Sequence, residues 1–186
     1  MNPRIITGSA KGRKLEVPIK GCRPMTDKVK TALFSMINFK IINSTVLDLY
    51  AGTGALGIEC LSRGAKKTVF IDRSKYAAEC INNNLEKTGL KSLGRVIKCS
   101  VIRFIKEYDN IENVPQKYDI IFFTPPYNNF KEKTLEKVTV LMKNDTLLIT
   151  EHPSTRKINL NENKLEIIDT RNYGITGLTF LKLAPE

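Results

Sequence analysis

The sequence has no tryptophan, one histidine (His152) and four cysteines (Cys22, Cys60, Cys80, Cys99) in 186 residues. There is no Cys-x-x-Cys pair, and one histidine cannot build a histidine-rich donor set, so a zinc site is disfavoured and no metal is expected. Cys60 and Cys80 fall in helical patterns and Cys99 at a strand end, where free cysteine acts as a small buried hydrophobe. Long apolar runs are also lacking, and none nears the roughly 20 residues that span a bilayer. The start, Met1-Asn-Pro-Arg-Ile-Ile6, lacks the basic-then-apolar order of a secretory leader, so a cytoplasmic location is expected.

What remains is ordinary in bulk and uneven in charge. With 41% hydrophobic and 26% charged residues, the chain has the composition of a soluble globular protein. Its length suffices for a core without disulfide or metal staples, and nothing demands more than a monomer. Acidic residues are scarce, 19 against 30 basic, for a net charge of +11. The excess is concentrated at the start. Residues 1–40 hold nine basic residues (Arg4, Lys11, Arg13, Lys14, Lys20, Arg23, Lys28, Lys30, Lys40) against Glu16 and Asp27, a net +7. A basic cluster attracts polyanions by phosphate contact and counterion release, which makes nucleic acid the expected partner.

Periodicity places the elements. Arg4–Thr7 and Arg13–Val17 read as short strands around the turn-rich Gly8–Gly12, a candidate basic hairpin. After Pro24, Thr26 or Asp27 can cap a helix whose apolar residues Val29, Ala32, Leu33, Met36 and Ile37 share a face. Strands are then expected at Val46–Leu49, Thr68–Ile71, Arg95–Lys98 and Asp119–Phe123, and helices at 55–63, 75–88, 101–107 and 131–141. Thr146–Glu151, Leu165–Asp169 and Leu178–Leu183 read as three further strands, the last two forming a closing hairpin around 172–177. Alternating strands and helices imply an α/β doubly wound, Rossmann-like sheet with helices on both faces. Residues 1–40 are expected to form a basic hairpin and helix extension, and 41–186 the main domain.

Two segments carry chemistry. Gly52-Thr-Gly-Ala-Leu-Gly57 follows an apolar strand and opens a helix, and Asp72 closes the next strand, satisfying the fingerprint for an adenosine-containing ligand. Glycines let backbone approach the ligand, and the carboxylate accepts from ribose hydroxyls. NAD and S-adenosylmethionine both fit. Asp48, in the strand end before the loop, disfavours a pyrophosphate and suits the ammonium of a methionine moiety. The long leading segment and the downstream Thr124-Pro-Pro-Tyr127 point the same way. That second segment ends the fourth strand of the series, at the edge where ligands of open sheets bind. Two prolines give a stiff carbonyl platform, and Tyr127 offers a flat ring for a base turned out of its stack. The chemistry suggested is methylation of a nucleobase amine, which is largely a matter of positioning. Ser100 could meet an adenine edge or cap the following helix.

Taken together these residues resemble the class I methyltransferases, and more closely the bacterial RsmD family of 16S rRNA guanine-N2 methyltransferases. The resemblance runs through Arg4-Ile-Ile-Thr-Gly8 with Gly12-Arg-Lys-Leu15, Arg23-Pro-Met-Thr-Asp-Lys-Val-Lys-Thr-Ala-Leu-Phe34, Asp48–Gly57, Thr124–Tyr127 and Arg171-Asn-Tyr-Gly-Ile-Thr-Gly-Leu-Thr-Phe180. It implies a seven-stranded, mostly parallel sheet with an antiparallel last strand, and S-adenosylmethionine as methyl donor. The acceptor it implies is a guanine N2 amine in 16S rRNA of the small ribosomal subunit. The implied cofactor set is Asp48, Gly52, Thr53, Gly54, Asp72, Arg73, Ser100 and Val101. Thr124, Pro125, Pro126 and Tyr127 would seat the base. Arg4, Lys11, Arg13, Lys14, Arg23 and Lys28 would grip RNA phosphates. The chain departs from the family at Thr124, where Asp or Asn is usual, at Ser100, where an amide or acid is frequent, and at Thr31, where Glu is common. A threonine hydroxyl accepts a hydrogen bond but takes no proton. The alternatives are a DNA amino-methyltransferase acting on adenine or cytosine, and a non-catalytic RNA-binding protein that keeps the fold.

Overall fold

The computed structural model describes residues 2–19, 25–108, 111–112, 114–115 and 117–185. Seven strands form one sheet: β1 (Thr45–Leu49), β2 (Lys67–Asp72), β3 (Gly94–Lys98), β4 (Tyr118–Phe123), β5 (Met142–Pro153), β6 (Leu165–Tyr173) and β7 (Thr176–Leu183). Their order is β3-β2-β1-β4-β5-β7-β6, with β7 antiparallel to both neighbours and the other pairings parallel. Among the described residues five α-helices cover it: α1 (Asp27–Ile37), α2 (Ala55–Ser62), α3 (Lys75–Thr88), α4 (Val101–Glu107) and α5 (Glu132–Lys137). The doubly wound α/β expectation and the antiparallel last strand both hold.

Strand alternation builds two cores. Val46, Phe70, Ile120, Phe122 and Ile149 point to one face and pack with Leu33 and Phe34 of α1, Ile58 of α2 and Ile81 of α3. Leu47, Leu49, Val69, Ile71, Ile121 and Phe123 point to the other, where Phe104 of α4 and Leu135 of α5 cover them. With both faces buried, central strands read as apolar runs, as parallel strands should. At β1 the chain runs outward to β2 on one side and to β4 on the other. The connections therefore diverge there, opening a crevice at the carboxyl ends.

Helix starts follow local chemistry. Thr26, Ser74 and Ser100 accept from Val29, Ala77 and Arg103 N–H, capping α1, α3 and α4. Gly89, at φ +75°, ends α3 in the left-handed region. The helix expected over 131–141 is instead α5 followed by a 3-10 turn, Val138–Leu141, through the β-branched run Val138-Thr-Val140. The connection expected at 172–177 contracts to Gly174 and Ile175, because β6 and β7 pair as far as Tyr173 and Thr176.

The leading segment departs most from expectation. Instead of two strands it makes one isolated bridge, Arg4 to Lys14. The reason lies in α2. The buried Glu59 carboxylate accepts Ile6 N–H at 2.8 Å and Thr7 N–H at 3.0 Å, and the Ser62 carbonyl accepts Ser9 N–H at 2.8 Å, so beyond the Ile5–Arg13 hydrogen bond the chain is held on α2 rather than paired to residues 13–17. Ile5, Ala10 and Leu15 are buried in the first core, so residues of the 1–40 segment share it with the sheet. Lys30, counted in the basic cluster, is fully buried, donating to the Arg4 carbonyl and lying 3.8 Å from Glu59.

Candidate active site

The glycine loop is shaped by backbone that tolerates few side chains. Between β1 and α2 the chain passes through φ +61° at Tyr50, +54° at Gly52 and +75° at Gly54. A Cβ on Gly57 would stand 2.3 Å from Phe70 Cε1, so that glycine lets α2 lie close on β2. Asp72 holds the loop from the next strand, Oδ2 accepting Gly52 N–H at 3.0 Å and Oδ1 accepting Ser74 N–H at 2.9 Å. Thr53 is buried and its Oγ1 accepts Ala55 N–H at 3.2 Å.

Asp48 is the anomaly. It is 1% exposed; its Oδ2 accepts Gly57 N–H at 3.0 Å, whereas buried Oδ1 has no hydrogen-bond partner among the described residues. Desolvation raises its pKa from 3.8 to about 8, opposed by the Gly57 hydrogen bond and reinforced by the Asp72 charge. A buried acceptor left unsatisfied is costly, and a cationic or N–H-bearing ligand would relieve it.

The second segment lies across the crevice. Thr124 Oγ1 donates to the Leu49 carbonyl of β1 at 3.4 Å, which keeps oxygen lone pairs for accepting. Pro125 is buried, Pro126 exposed, and the Pro126 carbonyl accepts Asn129 N–H at 2.7 Å in a short 3-10 turn. Tyr127 is anchored through its hydroxyl, which donates to Glu151 Oε1 at 2.9 Å and lies 3.2 Å from Thr176 Oγ1.

One cavity of about 1000 Å³ joins the two segments. It is lined by Asp48, Gly52, Thr53, Asp72, Arg73, Ser100 and Val101 on one side and by Thr124, Pro125, Pro126 and Tyr127 on the other. Gly54 is not in the wall; a Cβ there would touch Ile81 Cγ2 at 3.1 Å, so its contribution is to loop shape. Of the two roles weighed for Ser100, the structure shows the cap on α4, and the residue also lines the cavity. Sequence reading missed Glu151, Thr176, Lys131, Met25 and Pro18, which also line the cavity. Two signals were available: Glu151 ends the strand expected at Thr146–Glu151, and Thr176 lies within the family-like Arg171–Phe180 segment. His152, one step past Glu151, is a core residue, with Nε2 2.8 Å from Thr179 Oγ1 and its pKa lowered by burial.

Lys11, Arg13, Lys14 and Lys28 are exposed, and Arg4 is exposed while pairing with Asp27 at 3.3 Å. None of these lines the cavity, although Pro18, Met25 and Thr26 of the same segment do. Arg23 lies outside the described residues.

A sheet ordered 3-2-1-4-5-7-6 with an antiparallel β7, a glycine loop after β1 and an acid closing β2 define a class I methyltransferase. Within that class the family described as Conserved hypothetical protein 95 matches residues 3–182, and the chain belongs to it, the RsmD family. YlbH of Bacillus subtilis is 35% identical over 185 residues, covering 96% of this chain and 98% of the relative. Ribosomal RNA small subunit methyltransferase D of Haemophilus influenzae is 37% identical over 147 residues, covering 77% and 72%. The solved yhhF structure from Escherichia coli superposes with a TM-score of 0.82 at 26% identity, covering all of both chains.

Proposed function

We infer that this chain transfers a methyl group from S-adenosylmethionine to the exocyclic N2 amine of a guanine in small-subunit ribosomal RNA. The observation that carries the reading is the single cavity in which the glycine loop with its two acids faces Thr124-Pro-Pro-Tyr127. Family membership and relatives named for small-subunit rRNA methylation support the substrate class. The residues fit the cofactor. Asp48 Oδ1 awaits a donor such as the methionine ammonium, and Asp72, already accepting two loop N–H groups, has lone pairs left for ribose hydroxyls. Gly52, Thr53 and Gly54 shape the loop, while Arg73, Ser100 and Val101 would flank the adenosine. When bound, the cofactor supplies an electrophilic sulfonium methyl.

The chain's own task is placement. The hydroxyl of Thr124 and the carbonyl beside Pro125 accept N–H bonds from the target amine, and the Tyr127 ring supports the base plane. A carboxylate is not needed at position 124 for this alignment, because an acceptor suffices. Arg4, Lys11, Arg13, Lys14, Arg23 and Lys28 would hold phosphates, with residues 1–40 serving as the RNA-gripping part and 41–186 as the catalytic part. The test is incubation of naked and assembled small-subunit RNA with labelled S-adenosylmethionine, followed by digestion to nucleosides. Label in N2-methylguanosine is expected. Label only in methylated adenine or cytosine, or none while a control enzyme is active, would overturn the reading.

A further inference from the structure

Glu151 lines the cavity beside the Thr124–Tyr127 segment. β4 and β5 run parallel with Phe123 beside Thr150, and Thr150 Oγ1 donates to the Phe123 carbonyl at 2.8 Å. The next residues on the two strands, Thr124 and Glu151, therefore reach the carboxyl edge as neighbours, and both line the cavity. Glu151 is half-buried and fixed in place, since Oε1 accepts the Tyr127 hydroxyl, which in turn contacts Thr176 at the start of β7. Among the described lining residues the other carboxylates are Asp48 and Asp72, and both accept backbone N–H groups at the glycine loop or just beyond it. Glu151 is thus the acid at the Thr-Pro-Pro-Tyr end.

An ionised carboxylate only accepts hydrogen bonds, and it offers about four lone-pair sites. Guanine presents adjacent donors, N1–H and the 2-amino group, whereas adenine presents an unprotonated N1, which a carboxylate repels. The geometry points to Glu151 as the residue that reads guanine N1–H and so selects the base. This rests on the guanine-N2 reading above. Tyr127 then has two duties, offering a ring face and holding the reading carboxylate by its hydroxyl.

2-Aminopurine separates reading from architecture, because it keeps the 2-amino group but has a bare N1. Once the wild-type site is mapped, RNA carrying guanine or 2-aminopurine there is compared by kcat/KM. Wild-type protein is expected to favour guanine by on the order of 10–100-fold, the penalty of facing an acceptor with an acceptor. Glu151→Gln can turn an amide N–H toward the bare N1, so it should lose rate on guanine, gain on 2-aminopurine and narrow the ratio at least tenfold. A merely structural role would lower both rates together and leave the ratio unchanged, which would overturn the inference. Equal wild-type rates on the two bases would overturn it too, without recourse to the variant, and this arm decides the matter if Glu151→Gln melts early. Wild-type protein that labels no guanine N2 would instead remove the underlying functional reading.

Discussion

At the residue scale Asp48 governs two measurable behaviours. Its folded pKa, about 8, stands above the ordinary 3.8, so between those values the folded chain holds a proton that the unfolded chain releases. Its stabilising contribution is therefore full below about pH 4 and lost as pH rises to about 8. Urea denaturation of wild type and Asp48→Asn across that window should show a steeper fall with pH for wild type. A cationic ammonium beside Asp48 favours the ionised form. Binding of S-adenosylhomocysteine should consequently release protons near neutral pH and tighten as pH rises toward 8. Calorimetry in two buffers of different ionisation heat reads this, and Asp48→Asn should abolish the proton release and weaken binding at least tenfold, the loss of a charge-assisted contact of about 1.5–3 kcal/mol. Asp48 and Asp72 were legible in the sequence because strand ends and glycine spacing fix them locally. Glu151 and Thr176 had only a strand end and a family-like segment to mark them, since what joins them is Tyr127, 24 and 49 residues away in the chain.

At the scale of elements, α2 acts as a dock. Glu59 on its inner side takes two N–H groups of the leading segment, the Arg63 guanidinium at 2.9 Å and the buried Lys30 ammonium. Glu59→Ala would remove one of two counter-charges of Lys30, leaving Asp27 at 3.7 Å, and would take the acceptor from Ile6 and Thr7 N–H, a loss of roughly 2–4 kcal/mol. The urea midpoint should fall accordingly, and trypsin should cleave faster after Lys11 as the segment loosens. Glu59→Gln, which keeps an acceptor, should lose less. The bounds of α3 and α4 were readable because serine caps mark both starts and Gly89 one end. The Glu59–Lys30 pair was hidden, as charged residues in an amphipathic pattern ordinarily mark the solvated face.

For the whole molecule, the basic excess divides into surface charge and internal structure. Lys11, Arg13 and Lys14 are exposed on the leading loop, and changing all three to Ala should leave the melting temperature within a few degrees while lowering the salt slope of RNA binding by about two to three. Anisotropy titrations over a range of salt concentrations would measure it. Lys30→Ala should do the reverse, destabilising the fold with little direct effect on that slope. The sheet class was plain from alternation, and resemblance implied an antiparallel last strand, but the insertion of β7 between β5 and β6 was not readable, because the strand pattern does not say which edge a returning strand joins. That insertion bears on how the protein comes into being. β6 leaves the ribosome before the one strand that hydrogen-bonds to it, and Tyr127 receives Thr176 only when β7 arrives. A nascent chain halted before Thr176 would carry an unpaired β6 and an open β5 margin, so completion of the binding cavity waits on the synthesis of β7.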